Sequence, residues 1–187
     1  MSSFPCIAVD YPWKFNDQLP GASRGASKRY DTIAHAEREA TLAEYWALVR
    51  AQRNACMFFW RVAAMQREAF DIIDSLGFEV KSELVWEKKT KTGKDHFGMG
   101  WYARMAHETC LICTRGRVTV LNHSTRSRFS APCPVDERGR VIHSAKPDRF
   151  FEIVEQLVPG PRLELFARKQ RPEWTCLGNE MQEARVA

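Results

Sequence analysis

Four residues near the start of the chain, Asp10-Tyr11-Pro12-Trp13, bring together a carboxylate, a stiff turn and a broad indole. They follow the apolar run Phe4 to Val9, whose β-favouring residues predict a buried strand. Side chains just past such a strand face outward from a sheet edge, where open α/β folds keep their ligands. Asp10 and a backbone carbonyl can accept the two hydrogens of an aromatic amine, while Pro12 stiffens the turn and Trp13 stacks on the ring. That suits holding the exocyclic amine of adenine for methylation. The same four residues also suit a plain turn, since Asp bonds its own backbone and Pro presets φ.

The elements that must position this turn follow from periodicity. Thr41-Leu-Ala-Glu44 has the pattern of a capping box. Leu42, Tyr45, Trp46 and Val49 continue at helical spacing and predict a helix ending near Asn54. Ala55 to Trp60 predicts a second buried strand. Ala63 to Leu76 repeats the helical pattern, with Gly77 placed to stop it. Phe78 to Trp86 predicts a strand, residues 87–106 a basic loop, Thr109 to Thr114 a strand, and Val118 to Leu121 one more. Residues 122–145 read as irregular. Pro147 opens a helix through Phe151, Ile153, Val154 and Leu157, Pro159-Gly160-Pro161 ends it, and Arg162 to Ala167 is a last buried strand. Strands alternating with helices predict an α/β fold with a mostly parallel sheet and helices on both faces. With no repeat or linker, residues 1–187 read as a single domain.

Composition sets outer bounds. The 187 residues are 44% hydrophobic and 27% charged, ordinary for a globular chain with its own core. No apolar stretch approaches the roughly 20 residues of a membrane span. The N-terminus lacks a signal peptide's charged start and apolar core, so a cytoplasmic location is expected. The net charge of +5 leans toward a polyanionic partner. Positive charge gathers in Arg24, Lys28 and Arg29 and again in Lys88, Lys89, Lys91 and Lys94, both in segments that read as loops.

Other chemistries lack their residues. Cys110 and Cys113 form a C-x-x-C, but in a strand positions three apart point to opposite faces. No second pair sits at zinc spacing, so the six cysteines read as structural thiols and no metal is expected. Gly98-Met-Gly100-Trp-Tyr-Ala103 only approximates a dinucleotide fingerprint and does not follow a β-α turn. His107-Glu108, opening a strand, reads as structural.

The tail carries a second signal: His143-Ser-Ala-Lys-Pro147, Pro159-Gly-Pro-Arg-Leu-Glu-Leu-Phe-Ala-Arg168, Arg171-Pro-Glu-Trp174 and Gly178-Asn-Glu180. Together with Asp10 to Trp13 and Tyr30-Asp-Thr32, these resemble, in order, the MT-A70 family of S-adenosylmethionine-dependent N6-adenine methyltransferases. The resemblance implies a Rossmann-like methyltransferase fold in permuted order, with the catalytic strand first and the cofactor elements last. It implies that Asp10, Tyr11, Pro12 and Trp13 are catalytic. Lys146 would bind the cofactor's carboxylate, and Arg168, Asn179 and Glu180 would surround its ribose and adenine, with Asp10 and Phe166 completing the set. Tyr11 departs from the family's usual proline, keeping the carbonyl but losing the stiffness.

The expected partner is DNA with single-stranded or accessible adenines, because no residues remain for a separate target-recognition domain. RNA is the alternative substrate, and a non-catalytic nucleic-acid-binding subunit is the alternative role. Phosphate and base contacts are expected from Arg24, Lys28, Arg29, Tyr30, Lys88, Lys91, Lys94, Trp101 and Arg104, with Tyr102 as a further aromatic surface. A homodimer or a recognition partner would supply what the domain lacks.

Overall fold

The apolar run before Asp10 must be covered on both faces, and the chain provides a layer for each. The computed structural model describes residues 3–13, 35–50, 52–98, 100 and 102–178. In chain order its elements are β1 (Cys6–Val9), α1 (His35–Arg50), β2 (Ala55–Arg61), a 3-10 turn (Ala63–Met65), α2 (Gln66–Ser75), β3 (Glu79–Lys89), β4 (His107–Arg115), β5 (Arg128–Pro132), α3 (Asp148–Leu157), β6 (Arg162–Leu165) and β7 (Trp174–Leu177).

One seven-stranded sheet runs β5-β3-β4-β2-β1-β6-β7. β1 lies parallel to β2 and β6, β6 to β7, and β3 to β5; only β4 is reversed, pairing antiparallel with β2 and β3. This is the mostly parallel, Rossmann-like sheet expected, with an interior strand, β1, coming first in the chain. Six strands end at one edge, and β4 begins there.

Alternation along the strands feeds two cores. Ile7, Val9, Met57 and Phe59 pack with Tyr45 and Val49 of α1 and with Ala69 and Ile73 of α2. Cys6, Ala8, Phe58 and Trp60 face the other way, toward Phe150, Phe151 and Val154 of α3. Each fully buried large side chain contributes about 1.5–3 kcal/mol, so helices occupy both faces because both carry apolar rows. Cys110 and Cys113 go to opposite cores, as strand geometry demands. All six thiols are buried and unpaired, and burial pushes Cys56 and Cys113 up to about 12.

Several boundaries differ from the sequence reading. Helix α1 starts at His35, so Thr41 lies inside it rather than capping it; the residues ahead of Thr41, Ala36-Glu-Arg-Glu-Ala40, are strong helix formers. It ends at Arg50, not Asn54. Val118 to Leu121 is not a strand: Leu121 donates its N–H to the Leu157 carbonyl at 2.8 Å, capping α3 instead. Part of the supposedly irregular stretch is β5, where buried Phe129 and Ala131 alternate with exposed Arg128, Ser130 and Pro132. β3 continues to Lys89, which takes Lys88 out of the expected loop, and β7 adds a strand beyond the last one expected.

Candidate active site

Asp10 stands directly after β1, at the edge where the parallel strands end. Lys146, just ahead of α3, reaches it there. Its Nζ donates to both carboxylate oxygens, at 2.9 Å and 2.8 Å, and to the Ser144 carbonyl at 2.8 Å. Glu108, second residue of β4, adds an ion pair with Lys146 at 3.4 Å, and the ammonium lies 5.1 Å from the Trp60 ring centre. The Lys146 side chain is only 6% exposed. Glu108 in turn pairs with Lys88 at 2.6 Å, giving a row of alternating charge, Lys88–Glu108–Lys146–Asp10, drawn from four segments.

The electrostatics follow from that row. Burial lifts the Asp10 carboxyl above its ordinary value, with Lys146 pulling it back down in part. Burial works to lower Lys146, but Asp10 and Glu108 outweigh it and hold the ammonium charged, above its ordinary range. For Glu108 burial works upward, and Lys146 and Lys88 reverse it, leaving that carboxylate below the usual range.

The remainder of the turn is held inward. The Trp13 backbone N–H donates to the Tyr11 carbonyl at 2.9 Å, and its indole N–H to the Trp60 carbonyl at 3.3 Å. A carbonyl has two lone pairs, so the Tyr11 oxygen keeps one for another donor. Pro12 is exposed between them.

Two loops flank Asp10, and each contains a residue in the left-handed region, Ser144 at φ 63° and Phe166 at φ 62°. For non-glycine residues that conformation is uncommon and clusters at functional sites. The strain at Ser144 goes with a carbonyl turned to Lys146. Arg168 Nη1 donates to the His143 carbonyl at 2.8 Å, while Lys169 and Arg171 reach Asp148 at 2.9 Å and 2.6 Å. The loop after β6 is thus tied to the loop carrying Lys146. Gly178 closes the arrangement: a Cβ there would meet the Ala167 carbonyl oxygen at 2.0 Å, so only glycine lets the ends of β6 and β7 approach.

A site offering one ammonium between two carboxylates matches the amino-acid end of S-adenosylmethionine, whose carboxylate can pair with the ammonium of Lys146 and whose ammonium can pair with a carboxylate. The cofactor named from sequence fits the residues present. Among the described residues no group of His, Cys, Asp and Glu side chains could hold a metal ion.

The structure brings together Asp10, Tyr11, Trp13, Lys146, Phe166 and Arg168 from the expected set. Arg24, Lys28, Arg29, Tyr30, Trp101, Asn179 and Glu180 lie outside the described residues. Lys91 and Lys94 are exposed on the turn after β3, and Tyr102 is 98% exposed further along the same excursion, near exposed Arg104. Lys88 needs correction: it sits in β3, held by Glu108, rather than free in a loop. Glu108 is the residue sequence reasoning passed over. Only the reversal of β4 puts its first residues beside Asp10, and a strand's direction is not written in its own composition.

Sheet order, reversed β4 and an acidic residue directly after β1 are the features of a Rossmann-like methyltransferase fold. The chain belongs to the MT-A70 family, whose model matches residues 4–180. It is 27% identical over 195 residues to the N(6)-adenosine-methyltransferase MT-A70-like protein of Drosophila melanogaster, covering 100% of this chain and 28% of the fly protein. To the human N(6)-adenosine-methyltransferase catalytic subunit METTL3 it is 24% identical over 190 residues, covering 97% and 29%. To the human N(6)-adenine-specific methyltransferase METTL4 it is 25% identical over 194 residues, covering 96% and 38%. The chain therefore spans less than two-fifths of the length of each of these relatives.

Proposed function

We propose that this protein transfers a methyl group from S-adenosylmethionine to the exocyclic N6 amine of adenine in DNA. The observation that carries the reading is Asp10 directly after β1, paired with Lys146, in a chain of the MT-A70 family. A cytoplasmic location, and one domain with loose sequence preference for single-stranded or accessible adenines, belong to the same reading.

When bound, the cofactor supplies an electrophilic methyl on a sulfonium. Lys146 would hold the cofactor's carboxylate in place of Asp10, with Glu108 keeping the lysine charged and close. Asp10 is then free to accept one N–H of the adenine amine, with the Tyr11 carbonyl accepting the other. Two acceptors draw the nitrogen toward a tetrahedral shape, localise its lone pair and stabilise the positive charge it develops. No covalent enzyme intermediate is required, consistent with buried thiols held in the neutral form. A base leaving a duplex stack costs a few kcal/mol, which single strands largely avoid. Lys91, Lys94 and Arg104 would meet phosphates, setting affinity rather than sequence choice.

RNA is the second reading, favoured by the names of the fly protein and of METTL3, which specify adenosine. The test is transfer of labelled methyl to matched single-stranded DNA, duplex DNA and RNA, with digestion to detect N6-methyladenine. Signal lost in Asp10→Ala supports the enzyme and selects the polymer. No transfer to any polymer, together with no cofactor binding, would sink the catalytic reading.

A further inference from the structure

We propose that the Tyr11 side chain is a positioning residue, which stiffens the catalytic turn by ring packing. The inference rests on the methyltransferase reading. Its evidence is the set of rings around Tyr11. That ring lies 6.0 Å from Trp46 and 6.4 Å from Phe59, near-parallel to both, at 18° and 19°. It meets Trp13 edge-on at 4.9 Å and Phe166 edge-on at 5.8 Å. These separations are those of favourable stacked and edge-to-face pairs.

The partners come from separate parts of the fold. Trp46 belongs to α1, Phe59 to β2 and Trp13 to the turn itself, while Phe166 follows β6 in the strained left-handed conformation. Phe166 also meets Tyr45 and Trp46 at 5.2 Å and 6.1 Å. One cluster therefore holds the peptide whose carbonyl faces the amine and the loop expected to face the cofactor. A proline at this position would fix its own φ, but would make none of these ring contacts. Tyr11 replaces local backbone stiffness with attachment to three elements.

The test compares Tyr11→Ala, Tyr11→Phe and Tyr11→Pro by two readouts. One is methyl transfer with kcat separated from KM; the other is hydrogen exchange of the Trp13 indole N–H in the free protein. Tyr11→Ala is expected to lower kcat roughly 10- to 100-fold, the scale of a small misplacement of reacting groups. S-adenosylhomocysteine affinity and KM should change little, and the Trp13 indole should exchange faster. Tyr11→Phe should restore both, and Tyr11→Pro neither.

Unchanged indole exchange in Tyr11→Ala overturns the proposal. So does failure of Tyr11→Phe to restore the rate, which would assign the effect to the hydroxyl, or full restoration by Tyr11→Pro. Should Tyr11→Ala not fold, Trp46→Leu removes a ring from the other side and carries the same expectations. If the unaltered protein transfers methyl to no polymer, the exchange series still decides the role of Tyr11 separately.

Discussion

Lys146 and Asp10, 136 positions apart in the chain, meet in a bidentate contact that occupies both carboxylate oxygens. A charge-assisted pair so nearly buried is strong, and it means that Asp10 must be released before it can receive an amine. In the proposed reaction, binding the cofactor and exposing this carboxylate would be one event.

The rate should rise with pH as Asp10 ionises. Because burial raises its pKa in the free protein, the acid limb of kcat/KM is expected above the ordinary Asp value of 3.8. Lys146→Met removes the cation that partly holds this pKa down in the free protein, so the acid limb of kcat/KM should move to higher pH. An unmoved limb would show that Asp10 ionisation does not govern the rate.

Glu108→Gln should move the limb the other way, since the Glu108 charge raises Asp10. Affinity for S-adenosylhomocysteine should fall as well, because Lys146 loses a neighbour that holds it in place. Glu108 is depressed below its ordinary 4.5, so its stabilising contribution is present above that value and fades as pH falls through its lower folded-state pKa. Thermal denaturation from pH 7 down to 3 would follow this in the unaltered protein and the variant.

Arg115→Met tests the scaffold. The guanidinium donates to the carbonyls of Leu76 at 2.7 Å and Val49 at 2.7 Å, and also to that of Gln52, terminating α1 and α2 together; it lies 4.7 Å from the Phe78 ring centre. Leaving those acceptors without a donor should cost about 3 kcal/mol in urea denaturation. Cofactor affinity at low temperature should be nearly unchanged.

Arg171→Met tests the clamp on the loop after β6. Arg171 lies 3.4 Å from the Phe151 ring centre and pairs with Glu164 at 3.1 Å and with Asp148. The variant leaves Glu164, already raised by burial, without its cation. A loss of about 3 kcal/mol is expected near neutral pH. It should shrink as pH falls and Glu164 takes up a proton.

Lys91 and Lys94 make a prediction on substrate binding. Replacing both with Gln should lower the slope of log affinity against log salt by about 0.7 per cation for a single strand. A slope that does not change would remove this turn from the nucleic-acid path.

Sequence alone located β1, β2, α2 and α3 because their apolar rows are dense and their ends are marked, as Gly77 marks α2 with φ +73°. It also singled out Asp10 and, through the family resemblance, Lys146, two residues that the fold brings into contact. It missed what depends on the partner strand. β5 has only two inward residues, Phe129 and Ala131, and becomes a strand by pairing with β3. Thr41 looked like a cap because a capping box can also occur within a helix, where a longer run of helix formers overrides it. Glu108 became a site residue through the direction of β4, and Lys88 left its loop because β3 outlasted its apolar pattern.

The first strand has a consequence for how the chain is made. β1 lies between β2 and β6, and its register with β6 pairs Cys6 with Arg162 and Val9 with Leu165. One edge of the most buried strand therefore waits for residues more than 150 positions later. A chain emerging from the ribosome carries that edge open until β6 arrives, and long-range parallel pairing of this kind folds slowly and is prone to aggregation. The side chains that tie down the loop carrying Lys146, those of Arg168, Lys169 and Arg171, also come after β6. A nascent chain that stops short of β6 would have both Asp10 and Lys146 without the ties that fix the lysine's loop.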